Sequence, residues 1–240
     1  MTRKTYLTTL AVVYAVLWVA AAIAPLYRAD WLIENILVLV GVAVLVLTAK
    51  AFPLSRISYT TLFVFMCLHT VGSHYTYAEV PYETFAQNRL GFSINDLFGW
   101  ERNNFDRFVH FCYGLLLAYP IREVFLRIVA VRGFWGYFLP LDFTMSTSML
   151  YELIEWGAAN VVGGDLGMAY LGTQGDVWDA HKDMALASLG GLIAMTVTAC
   201  INVIYQRDFA REWADSLRIR DREPLGEVAL AKLRGKTAAP

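Results

Sequence analysis

Charge is scarce in this chain. Lys, Arg, Asp and Glu make up 17% of its 240 residues, where a soluble globular chain carries about 25%. Cysteine is scarce too. Cys67, Cys112 and Cys200 all fall in apolar stretches, and an odd number so placed excludes a disulfide framework. No Gly/Ser-rich or Pro-rich linker, internal repeat or low-complexity run divides the chain. The net charge of −1 and the lack of a basic stripe exclude nucleic acid as a partner. The paired glycines at Gly163-Gly164 have no G-K-[ST] after them, so no nucleotide or flavin motif is present. What the chain does have is apolar residues, 57% of the total, gathered in blocks that a soluble core does not need.

Six blocks reach spanning length: 6–24, 31–47, 57–76, 107–126, 134–156 and 182–205. Each is near the ~20 helical residues that ~30 Å of hydrocarbon requires. Arg3-Lys4 followed by an apolar run and Ala22-Ile23-Ala24 has the layout of a signal peptide, and is read here as the first span. Trp18, Trp31, Trp135, Trp156 and Tyr205 lie near block ends, where interfacial aromatic belts form. The expected fold is all-α, a polytopic transmembrane bundle of about six spans. Residues 1–205 form the membrane domain, with an aromatic outer cap at 77–106, and 206–240 form a charged tail.

Orientation follows from the basic residues. An N-terminus in the cytoplasm puts fifteen Lys and Arg inside, from Arg3 to Lys236, and leaves Arg28, Arg89, Arg102, Arg107 and Lys182 outside. The loop 157–181 holds neither Lys nor Arg. Both termini are therefore expected to be cytoplasmic, and the tail offers a contact for a protein partner.

Folding this topology gathers the ionisable residues at the outer end. His69, His74, His110 and His181 fall at outer ends of spans, accompanied by Asp106, Glu152, Glu155, Asp176, Asp179 and Asp183. Such groups at membrane depth are costly and tend to be paired or functional. Asp106 and His110 are one helical turn apart, and so nearly are Glu152 and Glu155. His69 and His74 are ~140° apart on an ideal helix, so both join one site only if the helix bends near Gly72. Bundles hold metal ions with carboxylates and imidazoles from several helices. The candidate metal ligands are His110, Asp106, Glu152, Glu155 and Asp183. A packing network, with Asp106 on Arg102 or Arg107 and Asp179 or Asp183 on Lys182, fits the same residues.

Three strings carry a resemblance: the run from Arg102 to Phe111, Glu152-x-x-Glu155-Trp156, and Thr173-Gln174-Gly175-Asp176-Val177-Trp178-Asp179-Ala180-His181-Lys182-Asp183-Met184. Together they resemble the YjdF-like inner-membrane proteins of bacteria, which are more distantly similar to VanZ-like proteins. The likeness covers about 57–205. It implies a multi-pass protein of the bacterial inner (plasma) membrane and supplies no reaction and no role for any residue.

The expected function is a metal-dependent hydrolase or group-transfer enzyme acting on a lipid-type substrate at the extracytoplasmic face. Its cofactor would be a divalent metal ion, and membrane lipids would be its partners. Candidate catalytic residues are Asp106, His110, Glu152, Glu155, Asp179, His181 and Asp183. Arg102, Arg107, Gln174 and Asp176 are candidates for substrate binding, the arginines through a phosphate headgroup. The alternatives are an ion- or proton-coupled transport protein and a non-catalytic subunit of an envelope complex.

Overall fold

A computed structural model describes residues 1–164, 171, 173–220, 224, 226, 227 and 230. The described residues are all-helical. Six long helices make the bundle: α1 (Arg3–Ala22), α2 (Arg28–Thr48), α3 (Arg56–His74), α6 (Phe105–Val124), α7 (Trp135–Val162) and α8 (Asp179–Tyr205). Two short helices, α4 (Tyr82–Leu90) and α5 (Ile94–Phe98), cap one end, and α9 (Phe209–Ser216) lies at the other.

α1, α2 and α8 are long and apolar enough to cross a membrane by length and composition. α3, α6 and α7 run 19, 20 and 28 residues and include the polar groups of the site described below. The bundle is inside out by the standard of a soluble protein. α1 buries none of its 20 residues, and Val16, Leu39, Leu47 and Ile204 are among many large apolar side chains that are exposed. Water would strip such helices from the bundle, whereas lipid tails suit them.

α6 is the hub, packing on α3, α7 and most extensively on α8. Glycine makes that seam. A Cβ on Gly114 would strike the Ala187 carbonyl, and one on Gly190 would strike the Phe111 carbonyl, so the two backbones meet directly, as small residues permit in membranes. Below the seam, Ala118, Tyr137, Ala194 and Met195 close a core. α1 and α2 both lean on α3.

Each expected block overlaps one of the six long helices; α1 and α2 begin three residues before their blocks, and two boundaries nearer the site also move. The block at 134–156 continues as helix to Val162, because nothing breaks it before Gly163 at φ +68°. The last block begins at Asp179, three residues earlier than read. Pro120 does not end α6. The helix passes it and closes in a π-helical turn, Phe125–Val129, before Ala130 turns left-handed at φ +58°.

The cap 77–106 contains two short helices, α4 and α5, joined by turns. Glu83 of α4 accepts the backbone N–H groups of Ile94 and Asn95 at 3.0 Å each, pinning α5 beneath it. The start of the tail folds back. Glu212 and Ser216 of α9 accept from the N–H groups of Gly133 and Phe134 at 3.0 Å, capping donors that the start of α7 leaves open. Trp213 packs on Phe134 and Tyr137. Of the tail end 223–240, for which fraying is expected, all but 224, 226, 227 and 230 lie outside the described residues, as does 165–170 of the loop before α8.

Candidate metal centre

The cap end of the bundle collects acids from three helices. Asp106 lies in the first turn of α6 and His110 one turn deeper. Glu152 and Glu155 face them from α7, ten and seven residues before its end, while Asp179 and Asp183 open α8. The α6–α8 seam brings these positions together. His110, Glu152 and Asp183 each offer a ligand-type atom, and the three atoms lie within 4.8 Å of one another; Asp106, Asp179 and Asp183 do the same. The two groups share Asp183, which is 4% exposed.

Their surroundings separate them. Arg102 pairs with both Asp106 and Asp179. Arg107 pairs with Asp176 at 2.5 Å and Asp179 at 3.0 Å. Lys182 completes the layer on Asp176 at 2.5 Å, not on Asp179 or Asp183 as the sequence suggested. Gln174, held at φ +48°, bonds the backbone of Asn103 in both directions. This lattice ties the loop before α8 to the start of α6. The Asp106 group is thus already balanced by guanidinium charge.

The deeper triad is not. His110 Nε2 stands 3.5 Å from Glu152 Oε1, close to the ~3.4 Å edge of a tetrahedron with ~2.1 Å metal–ligand bonds. Among the described residues, Glu152, Glu155 and Asp183 make no ion pair with Lys or Arg. Glu152 Oε1 and Asp183 Oδ1 are buried and accept no hydrogen bond from any described residue. Buried oxygens without partners are costly, and a triad of one imidazole and two carboxylates suits Zn²⁺, Mn²⁺ or Fe²⁺. Glu155 lies beside Glu152 and Tyr151, within one side chain of the triad.

Three expectations change. His181 is exposed and packs edge-on against Trp178. It is two residues from both Asp179 and Asp183, which turns it ~200° from each around the helix, so it leaves the site. Arg102 and Arg107, expected to bind a phosphate, each engage two aspartates and serve first as anchors. His69 and His74 stay out of the triad as well. His74 Nδ1 bonds the Ala21 carbonyl at 2.8 Å, tying α3 to α1.

A cavity of about 600 Å³ runs from His110 and Asp183 of the triad down between α2, α3, α6 and α7, well inside the ~300–1,000 Å³ range of small-molecule sites. Its head is lined by Asp106, His110, Glu155, Asp179 and Asp183, and its lower wall by Leu45, Leu62, Met66, Leu117 and Leu150. Leu37 and Val44 of α2 and Leu150 and Ile154 of α7 line the cavity and are also 47–53% exposed on the bundle surface. The mouth therefore opens sideways, between α2 and α7, onto the apolar surface.

Sequence reasoning missed the opposite wall. Asp30 and Glu34, 3% and 6% exposed, face the same cavity from α2. Glu34 Oε2 accepts from the Tyr151 hydroxyl at 3.2 Å. His69 bonds the Glu34 carbonyl through Nε2 at 3.3 Å and the Tyr77 hydroxyl through Nδ1 at 2.5 Å. Tyr77 reaches it by folding its ring over Gly72, where a Cβ would clash. The signal was visible: two acids one turn apart at the head of an otherwise uncharged block.

Comparison with known proteins agrees with this picture of a membrane bundle. A family described as predicted membrane protein (DUF2238) matches residues 6–203. The inner membrane protein YjdF of Escherichia coli (strain K12) is 36% identical over 194 residues, covering 80% of this chain and 88% of that protein. No solved structure matches.

Proposed function

The chain belongs to the DUF2238 family of predicted membrane proteins and resides in the bacterial inner membrane, and we propose that it is a metal-dependent hydrolase or group-transfer enzyme acting on a lipid-type substrate at the extracytoplasmic face. The charge bias of the loops supports six spans with both termini in the cytoplasm, which directs the cap end outward. The observation that carries the reading is the unbalanced triad His110, Glu152 and Asp183 at the head of a cavity whose mouth faces lipid.

In this reading His110, Glu152 and Asp183 would hold one divalent ion, and the chemistry it would supply when bound is polarisation of a scissile ester and activation of water. Glu155, beside the triad, acts as general base and takes a proton from the water that attacks the ester centre. It then returns the proton to the departing alkoxide, so its own charge is restored after each turnover. The apolar lower cavity holds the substrate's chain and fixes the ester at the triad. The Arg102–Asp106–Asp179–Arg107 lattice positions α6 against α8 and keeps Asp183 in place.

The test is metal analysis of the full chain purified in detergent, with hydrolysis of short-chain phospholipids as the second readout. The expected result is about one ion per wild-type chain, lost in His110→Ala. Glu155→Gln is expected to keep the ion and lose at least ~100-fold in turnover. A folded wild type that takes up none of Zn²⁺, Mn²⁺ or Fe²⁺ refutes the metal. A second reading, ion- or proton-coupled transport, draws on the succession Glu34, Tyr151, Glu155, Glu152 and His110 across the cavity. It predicts proteoliposome flux abolished by Asp183→Asn.

A further inference from the structure

The second acid pair, on α2, has no place in the metal reaction. Asp30 is 3% exposed, lines the cavity, and neither of its carboxylate oxygens accepts a hydrogen bond from any described residue. A buried, wholly unpartnered carboxylate is among the costliest arrangements in a protein. The neighbouring cation does not relieve it, since Arg28 donates to the Ala22 carbonyl at 2.7 Å and lies over the Trp31 ring. A metal does not fit either. His69, whose ring bonds the Glu34 carbonyl and lines the same cavity, has both nitrogens engaged, and Asp30 and Glu34 belong to neither three-ligand group among the described residues.

The remaining partner is an organic cation brought in by the ligand. Resting on the reading of the cavity as a lipid site, we infer that Asp30, seconded by Glu34, is a subsite for a primary ammonium, so that the ligand is an amphiphile whose headgroup carries a free amine. An ammonium has three N–H donors and no acceptor, which matches two free oxygens on Asp30 and a carboxylate one turn away. A quaternary ammonium has no N–H to give and is held by aromatic cages instead. The sideways mouth admits a membrane lipid without passage through water, and the apolar lower wall receives its chain. The amine then rests on α2 and the ester faces the triad on α6, α7 and α8, so the two acid banks read opposite sides of one headgroup. Charge selects against anionic headgroups, because several carboxylates line the cavity head.

The experiment uses the full chain in detergent and isothermal calorimetry with dihexanoyl lipids that share their chains. Phosphatidylethanolamine is expected to bind about tenfold more tightly than phosphatidylglycerol or phosphatidylcholine. In Asp30→Asn, an isosteric change that relieves a buried charge, the ratio is expected to fall to about one while bound Mn²⁺ is unchanged. In His110→Ala the Mn²⁺ is lost and the preference for the amine stays, so the failure of either idea is seen apart from the other. Asp30→Glu, which restores the charge, is expected to recover part of the ratio. Equal affinity for the three lipids in wild type, or an unchanged ratio in Asp30→Asn, overturns the inference. Free ethanolamine binding as tightly as the lipid overturns its amphiphile half.

Discussion

At the tail end of the bundle, Glu123 accepts from the Ser55 N–H at 2.9 and 3.0 Å, from the Ser58 hydroxyl at 2.6 Å, and from Arg127 at 2.8 Å. At the cap end, Asp183 is more deeply buried, and its Oδ1 meets no donor among the described residues. Both are acids on helices that flank the same seam. The first staples the start of α3 to α6 and has its charge fully answered. In the proposed reading, a bound ion answers the second. Partner count, rather than burial, separates an acid that holds a fold together from one that the fold holds ready.

Four substitutions break or sharpen that contrast. The largest effect is expected from Gly190→Ala, because the added methyl meets the Phe111 backbone and forces α6 from α8. The cost is about 3 kcal/mol, read by thermal unfolding in detergent, with loss of bound metal because both ends of the triad move. Glu123→Ala comes next at about 2 kcal/mol, since it strands the Ser55 N–H and the Ser58 hydroxyl, and it leaves metal content per folded chain unchanged. Asp183→Asn has the opposite sign. It removes an unanswered buried charge and is expected to raise stability by up to about 1 kcal/mol while abolishing metal uptake in the same preparation.

The smallest effect concerns pH. Asp176 lies outside the spans, where the Lys182 ammonium, the Trp178 N–H and Arg107 hold its carboxyl far below the usual range. A depressed folded-state pKa adds stability that is complete above the ordinary aspartate value of about 4 and is lost as pH falls below it. Asp176→Asn is therefore expected to be less stable at neutral pH. Its stability should decline less steeply between about pH 4 and 2, the two curves converging at the acid end. Parallel curves contradict this assignment.

Much of the fold was legible in the sequence because lipid enforces a simple rule, twenty apolar residues to a span. Where the rule is diluted, the reading lost accuracy. Glu152, Glu155 and the small residues around Gly157 hid the last two turns of α7. The gathering of Asp106, His110, Glu152 and Asp183 was legible from topology alone, since an alternating up-and-down chain puts their helix ends together. Which acids would be neutralised was not, because Arg102 reaches Asp179 across 77 positions and spacing says nothing about such a contact. His181 was misassigned by counting outer ends without following helix phase. Asp30 and Glu34 were passed over because α2 stands off α7, and the cavity that gives those acids meaning exists only in three dimensions.

The central claim is that His110, Glu152 and Asp183 bind one metal ion. Zinc K-edge X-ray absorption on the zinc-loaded full chain measures this at the metal itself. The expected spectrum has one imidazole and carboxylate oxygens at about 2.0–2.2 Å, with the imidazole signature gone in His110→Ala. A wild-type spectrum of oxygen ligands alone, identical in the variant, would contradict the account.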